Sequence, residues 1–157
     1  MFRRFCLVGS ALVLYSSPTI GSSLPSATAT LTVTKGYDAG VGLGRSSEQL
    51  YQLGTPANCK KWKRFHHFSW IGGSEFTGAI PAGSEILFRS TATRNVLNYF
   101  SECTNHLSFV PIAGHRYRAV QIARVQTGCD VEIIDEETKQ TPPDTKMMPN
   151  FLCIPEK

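Results

Sequence analysis

Residues 28–35 (TATLTVTK) set Leu31 and Val33 on one side of a two-residue period and threonines on the other. Alternation with β-branched residues is the pattern of a strand with one covered face. It returns in residues 129–134 (CDVEII), where Cys129, Val131 and Ile133 share a side. Residues 115–125 (HRYRAVQIARV) form the longest strand candidate, and Thr127-Gly128 between these two runs predicts a hairpin. Upstream, residues 76–80, the turn Pro81-Ala82-Gly83-Ser84 and residues 85–90 read as strand, tight turn, strand. Residues 107–110 are short and apolar, and residues 37–44 (YDAGVGLG) read as a glycine-broken continuation of the first strand. Residues 46–53 (SSEQLYQL) fit a short helix capped at Ser46 or Ser47 and fit a strand equally well. Residues 96–103 are open in the same way. No long helical period and no internal repeat interrupts the series. Short strands separated by turns predict an all-β, sandwich-like (Ig-like) antiparallel domain.

The N-terminus fixes the environment in which that domain must survive. Arg3 and Arg4 precede an apolar run at residues 5–15 (FCLVGSALVLY), followed by Ser16, Ser17, Pro18, Gly21 and Ser22. A basic start, a short apolar middle and a small-residue exit make a secretory signal peptide. The run is about eleven residues, short of the about 20 that a membrane-spanning helix needs. Residues 1–21 are therefore expected to be removed, with cleavage between 21 and 29. Thr19-Ile20-Gly21 and Ala27-Thr28-Ala29 are the competing sites. Cys6 lies at the start of the apolar run rather than just after it, which argues against a lipid anchor. The expected location is a bacterial periplasm or the medium beyond it. The remainder, residues 22–157, is 136 residues, one domain's worth, and can bury roughly two-thirds of its surface. Its tail from about residue 138 carries Pro142, Pro143, Pro149 and Pro155 and should be irregular.

With Cys6 in the leader, Cys59, Cys103, Cys129 and Cys153 remain. An even count in an exported chain reads as two disulfides. Of the three connectivities, Cys103–Cys129 with Cys59–Cys153 is preferred. The first would tie neighbouring strands, and the second would pin the tail to the body. A structural zinc site usually contains a C-x-x-C pair, which these spacings lack.

Three segments together form a recognisable order. They are Ile80-Pro81-Ala82-Gly83, then the F-x-P-x-x-G-x-x-Y corner from Phe109 through Pro111 and Gly114 to Tyr117, then the C-x-V-x-I-x-D strand from Cys129 to Asp135. This order resembles a pattern in small exported bacterial β-sandwich proteins of uncharacterised function. The resemblance covers roughly residues 76–141. It implies a fold and a compartment and carries no catalytic residues. Read physically, Pro111 stops strand pairing, Gly114 permits a positive φ, and Tyr117 buries its ring while its hydroxyl reaches a backbone carbonyl.

The segment 59–70 (CKKWKRFHHFSW) is the candidate binding surface. Lys60, Lys61, Lys63 and Arg64 interleave with Trp62, Phe65, Phe68 and Trp70. Such cations attract phosphate or carboxylate, and exposed rings stack on bases or sugars or sit at a lipid interface. In a regular strand Phe65 and Ile71 face one way, and Trp62, Phe68 and Trp70 the other. The competing reading is a strand whose aromatics serve the core while its lysines face water. His66 and His67 are adjacent, so on a strand they point to opposite faces and do not share a metal site. The glycine-rich residues 40–45 lack the G-x-G-x-x-G and Walker spacings, and the G-x-S-x-G and H-E-x-x-H motifs are absent. Of the 16 Lys and Arg, Arg3 and Arg4 belong to the leader; the remaining 14 face 12 Asp and Glu, a formal charge of +2. That is too weak a balance for bulk nucleic-acid binding. The expectation is an exported, non-catalytic binding or envelope-associated protein with no cofactor or metal, whose partner is an envelope protein or an anionic lipid or glycan. An inhibitor or immunity-type protein that blocks a partner enzyme is the first alternative, and an enzyme of unassigned reaction the second.

Overall fold

The computed structural model describes residues 27–36, 38–39, 47–69, 73–96, 99–124 and 128–148. Residues 1–26, which include the expected signal peptide, and Trp70 and Cys153 lie outside the described residues. Ten strands carry the fold: β1 (Thr28–Thr34), β2 (Asp38–Ala39), β3 (Ser47–Gly54), β4 (Lys63–Phe68), β5 (Glu75–Pro81), β6 (Ile86–Val96), β7 (Tyr99–Phe109), β8 (Arg116–Arg124), β9 (Gly128–Asp135) and β10 (Lys146–Met147). A 3₁₀ turn, Pro56–Asn58, links β3 to β4.

One sheet runs β9, β8, β1, β5, with β2 continuing the line of β1 along β8. The other runs β10, β7, β6, β3, β4. Their inner faces meet in one core. Leu31, Val33, Ile80, Tyr117, Ala119, Val131 and Ile133 come from the first sheet, and Tyr51, Phe68, Ile86, Phe88, Leu107 and Phe109 from the second. The architecture is thus all-β and two-layered, but not purely antiparallel: β1 and β2 both pair parallel to β8. A parallel neighbour needs a long crossover, and here β3, β4, β6 and β7 of the second sheet lie between β1 and β8 in the chain.

The undecided segment is a strand over Ser47–Gly54, since Gln49, Tyr51 and Leu53 turn inward at a period of two. The β8–β9 pair is the expected hairpin, with Tyr117 opposite Asp135 and Ala123 opposite Cys129. The turn at Gly83, φ +81°, carries the chain from β5 in one sheet to β6 in the other, so it is an arch between layers and not a hairpin. The longest strands are not β8 but β6 and β7, 11 residues each, paired from Ile86/Phe109 to Val96/Tyr99. The tail beyond residue 138 is irregular as far as it is described, except that β10 adds a short antiparallel edge to β7.

The corner at residues 109–117 also differs in one bond. Tyr117 buries its ring, 1 % exposed, and Gly114 takes φ +80°. Its hydroxyl does not reach a carbonyl; it accepts the Ile112 N–H at 2.8 Å. Pro111 leaves its carbonyl free for the Gly83 N–H at 2.8 Å, which ties the corner to the arch.

Cys103 and Cys129 are bonded. The expectation that this bridge ties neighbouring strands is corrected: β7 and β9 belong to opposite sheets, so it staples the two layers. Around it lies a buried polar cluster. Gln121 donates to the Cys103 carbonyl and to Cys129 Sγ, both at 3.1 Å. Asn105 donates to the same sulfur at 3.0 Å, and the Ser90 hydroxyl donates to Gln121 Oε1. Each buried polar atom named here has a partner, which is what lets them sit between the sheets. Cys59 is also disulfide-bonded, and its partner lies outside the described residues.

Candidate functional site

The basic-aromatic segment divides by chemistry. Its rings serve the fold and its cations stay in water. Phe68 is buried in the core and packs edge-on to Tyr51, ring centres 6.0 Å apart. Strict alternation fails at Phe65. Tyr51 pairs with His66 and Gln52 with Arg64, so Phe65 is the extra residue of a β-bulge. The bulge turns Phe65 and His66 toward the same flank of the sandwich. Both rings meet Phe76 of β5, Phe65 at 5.4 Å edge-on and His66 at 4.1 Å stacked. Phe65 also lies across Gly78, where even a methyl group would stand 3.0 Å from its ring. His67 points the other way, to Glu48 at 3.5 Å.

Trp62 precedes β4 and lies over the outer face of its sheet. Arg89 sits 4.8 Å from its ring centre, His106 packs beside it at 5.7 Å, and its six-membered ring approaches Gly54. Arg89 is fixed in turn by Gln52 Oε1, which accepts its Nε–H at 2.8 Å. Burial, and then the charge of Arg89, hold the His106 pKa below the usual histidine value. Trp62 is therefore half-buried under its neighbours and does not offer an open stacking face. Trp70 lies outside the described residues.

Lys60, Lys61, Lys63 and Arg64 are exposed. Three of them, Lys61, Lys63 and Arg64, border a cleft of about 480 Å³. Its floor is apolar: Leu53 of β3, Ile86 of β6 and Pro81 at the end of β5. The cleft exists because β4 ends one sheet and β5 ends the other. One stretch of the gap between these edges is plugged by Phe65, His66 and Phe76; the stretch toward Leu53 and Pro81 is not. Among the described residues no Asp or Glu lines the cleft. Lys60, although in the same run, is not among its lining residues. Arg64 also borders a shallower trench of about 280 Å³ on the outer face, where Glu48, His67 and Glu102 stand.

Sequence reasoning missed Leu53, Pro81 and Ile86. They come from three strands, and each reads in the sequence as an ordinary core or turn residue. It also missed Arg89, Gln52 and His106, the seat of Trp62.

A second polar pair joins the start of β8 to the end of β9, at the same end of the first sheet as Pro81. Asp135, 3 % exposed, bonds His115 Nδ1 through Oδ2 at 2.8 Å and accepts the Glu137 N–H through Oδ1 at 2.9 Å. Burial alone would raise its pKa, but the hydrogen bonds from His115 and from the Glu137 and Thr138 amides outweigh it, and the carboxyl is held below its usual value. With both oxygens engaged, this pair clamps the end of β9 to the start of β8.

Among the described residues no three His, Cys, Asp or Glu side chains gather as metal ligands, and no helix is long and apolar enough to cross a membrane. Comparison with protein-family models, with curated proteins and with solved structures finds no match.

Proposed function

We propose that this chain is an exported, non-catalytic binding protein that engages an anionic envelope component through Lys60, Lys61, Lys63 and Arg64. The observation that carries the reading is the convergence of Lys61, Lys63 and Arg64 on one cleft that no carboxylate lines among the described residues. Cations in water cost little to maintain singly. Three of them gathered together repel one another and are relieved by an incoming anion, although Arg64 also borders the outer trench where Glu48 and Glu102 stand. The signal-like N-terminus supports export to the periplasm or beyond. An exported chain would close Cys59 with Cys153 as its second disulfide, so that the cysteine beside Lys60 anchors the basic run to the tail. The inter-sheet bridge and the buried Tyr117 corner support an Ig-like affiliation of the sandwich, as does the resemblance of residues 76–141 to small exported bacterial proteins.

Sedimentation with anionic phosphatidylglycerol vesicles at low salt tests the reading, with neutral phosphatidylcholine vesicles as control. Changing Lys60, Lys61, Lys63 and Arg64 together to Ser should weaken binding about tenfold or more, since each surface cation adds roughly 1 kcal/mol near an anionic membrane. Exposed positions leave the fold intact. Equal binding by the parent and the variant overturns the assignment of this segment.

A further inference from the structure

The cleft has a second property besides its charge, and the two together specify a ligand more narrowly than either alone. Resting on the binding role proposed above, we infer that the cleft takes a single-chain amphiphile: an anionic head, phosphate or carboxylate, held by Lys61, Lys63 and Arg64, and an alkyl tail laid along Leu53, Pro81 and Ile86.

The argument starts at the edges of the sandwich. A two-sheet core must be closed where its sheets end, or apolar inner residues meet water. Between β4 and β5 the closure is half done. Phe65 and His66, brought to the same flank by the bulge, pack against Phe76, edge-on and stacked respectively, and fill one stretch. Farther along, β4 presents Lys63 opposite Leu53. A lysine there extends into water and cannot fill the gap. Leu53 is left half-buried and Pro81 exposed, in a cleft whose volume is in the range of small-molecule sites.

The apolar floor excludes a glycan as the best occupant. Sugar hydroxyls placed on Leu53, Pro81 and Ile86 would lose water without gaining partners. The cations exclude a purely apolar occupant, which would leave three charges facing it. An alkyl chain with an anionic end satisfies both surfaces in order, tail inward and head at the rim. Charge complementarity also selects the sign: among the described residues no carboxylate pairs with Lys61, Lys63 or Arg64.

Chain length is the discriminating variable. Each methylene taken fully out of water raises affinity about fourfold, whereas a head-only site is indifferent to it. Calorimetric titration of the full exported protein with hexyl, octyl and decyl phosphate, each below its micelle concentration, reads this directly, with inorganic phosphate as the head alone. The expected result is tightening of about tenfold or more from hexyl to decyl phosphate, and phosphate weaker than all three. Pro81→Glu places a carboxylate on the exposed floor without removing a backbone donor, because proline has none. It should weaken decyl phosphate at least about fivefold while leaving the thermal transition in place. Leu53→Asn, which removes tail contact and no charge, should flatten the chain-length dependence. If vesicle binding persists but alkyl phosphates bind no tighter than phosphate, the amphiphile inference is overturned and the anionic-surface role stands. If neither vesicles nor alkyl phosphates bind, both fall.

Discussion

Gly36 shows how little room a single residue can leave. It follows β1, where the chain runs on toward β2 along the same edge of β8, and a methyl group there would sit 1.5 Å from the Gln121 carbonyl oxygen. Its N–H donates to Gln49 Oε1 at 2.8 Å, and its carbonyl accepts from Gln49 Nε2 at 3.3 Å. The Gln49 amide thus takes the place of a strand partner for this backbone. Tyr51 continues the seam by donating to the Thr34 carbonyl at 2.8 Å, and burial pushes its pKa up to about 12. Gly36→Ala forces β1 and β8 apart and should cost on the order of 3 kcal/mol or more, read as a fall in the urea midpoint. Gly83→Ala is the contrast. Nothing lies within 4 Å of the added methyl, and only the positive φ of +81° is strained, so it should cost about 1 kcal/mol. Equal losses at the two positions would contradict the close approach at Gly36.

At the scale of elements, strands with one plainly apolar face were legible and strands with polar residues on both faces were not. β1 and β9 announce themselves through Leu31, Val33, Val131 and Ile133. β6 and β7 do not, although they are the longest, because their inner positions include Ser90 and Asn105, which serve the polar cluster around the disulfide. Their outer positions hold Thr91 and Thr104, which bond each other at 3.1 Å. The cations of the site were visible as a run in the sequence, whereas the floor was not, since proximity of Leu53, Pro81 and Ile86 follows from the sheet order. The bulge at Phe65 was invisible too, because one inserted residue leaves no compositional mark. Two of these elements carry histidines with a measurable consequence. Burial lowers the His66 pKa on β4, helped by the nearby His67, and burial then the Arg89 charge lower that of His106 on β7. Between the lowered folded values and the ordinary 6.5 of the unfolded chain, the unfolded state binds more protons, so stability falls as pH drops below about 6.5. Asp135 adds a second decline: its stabilising contribution is present above the ordinary 3.8 and is lost as pH falls through its lower folded value. Urea midpoints across pH should show both stages, and a His66→Gln, His106→Gln double variant should flatten the upper stage alone. A profile unchanged by that variant would place the upper decline elsewhere.

For the whole molecule, the two flanks of the sandwich are closed by different means. On one flank β7 and β9 are joined covalently by Cys103–Cys129, with Gln121 and Asn105 bonded to its sulfur. On the other, the packed rings of Phe65, His66 and Phe76 bridge β4 and β5, and beyond them the cleft opens. The cleft also lies farther along the strands, since Ile86 pairs with Phe109 while Cys103 pairs with Ala92, six positions on in β6. The covalent staple and the cleft of the proposed binding role thereby lie on separate flanks. The bridge closes a sequence separation of 26 residues, for which the chain-entropy account gives about 3.5 kcal/mol. The double variant Cys103→Ala, Cys129→Ala should lower the unfolding free energy by about 2–5 kcal/mol, the upper end reflecting the acceptor that Gln121 and Asn105 lose. The same variant, measured well below its thermal transition, should bind anionic vesicles within about twofold of the parent, because neither the cations nor the apolar floor of the cleft touches the bridge. Loss of both properties together would mean that the cleft depends on the spacing the disulfide sets between the sheets, and the sandwich would then act as one lever rather than as a sealed flank and an open one.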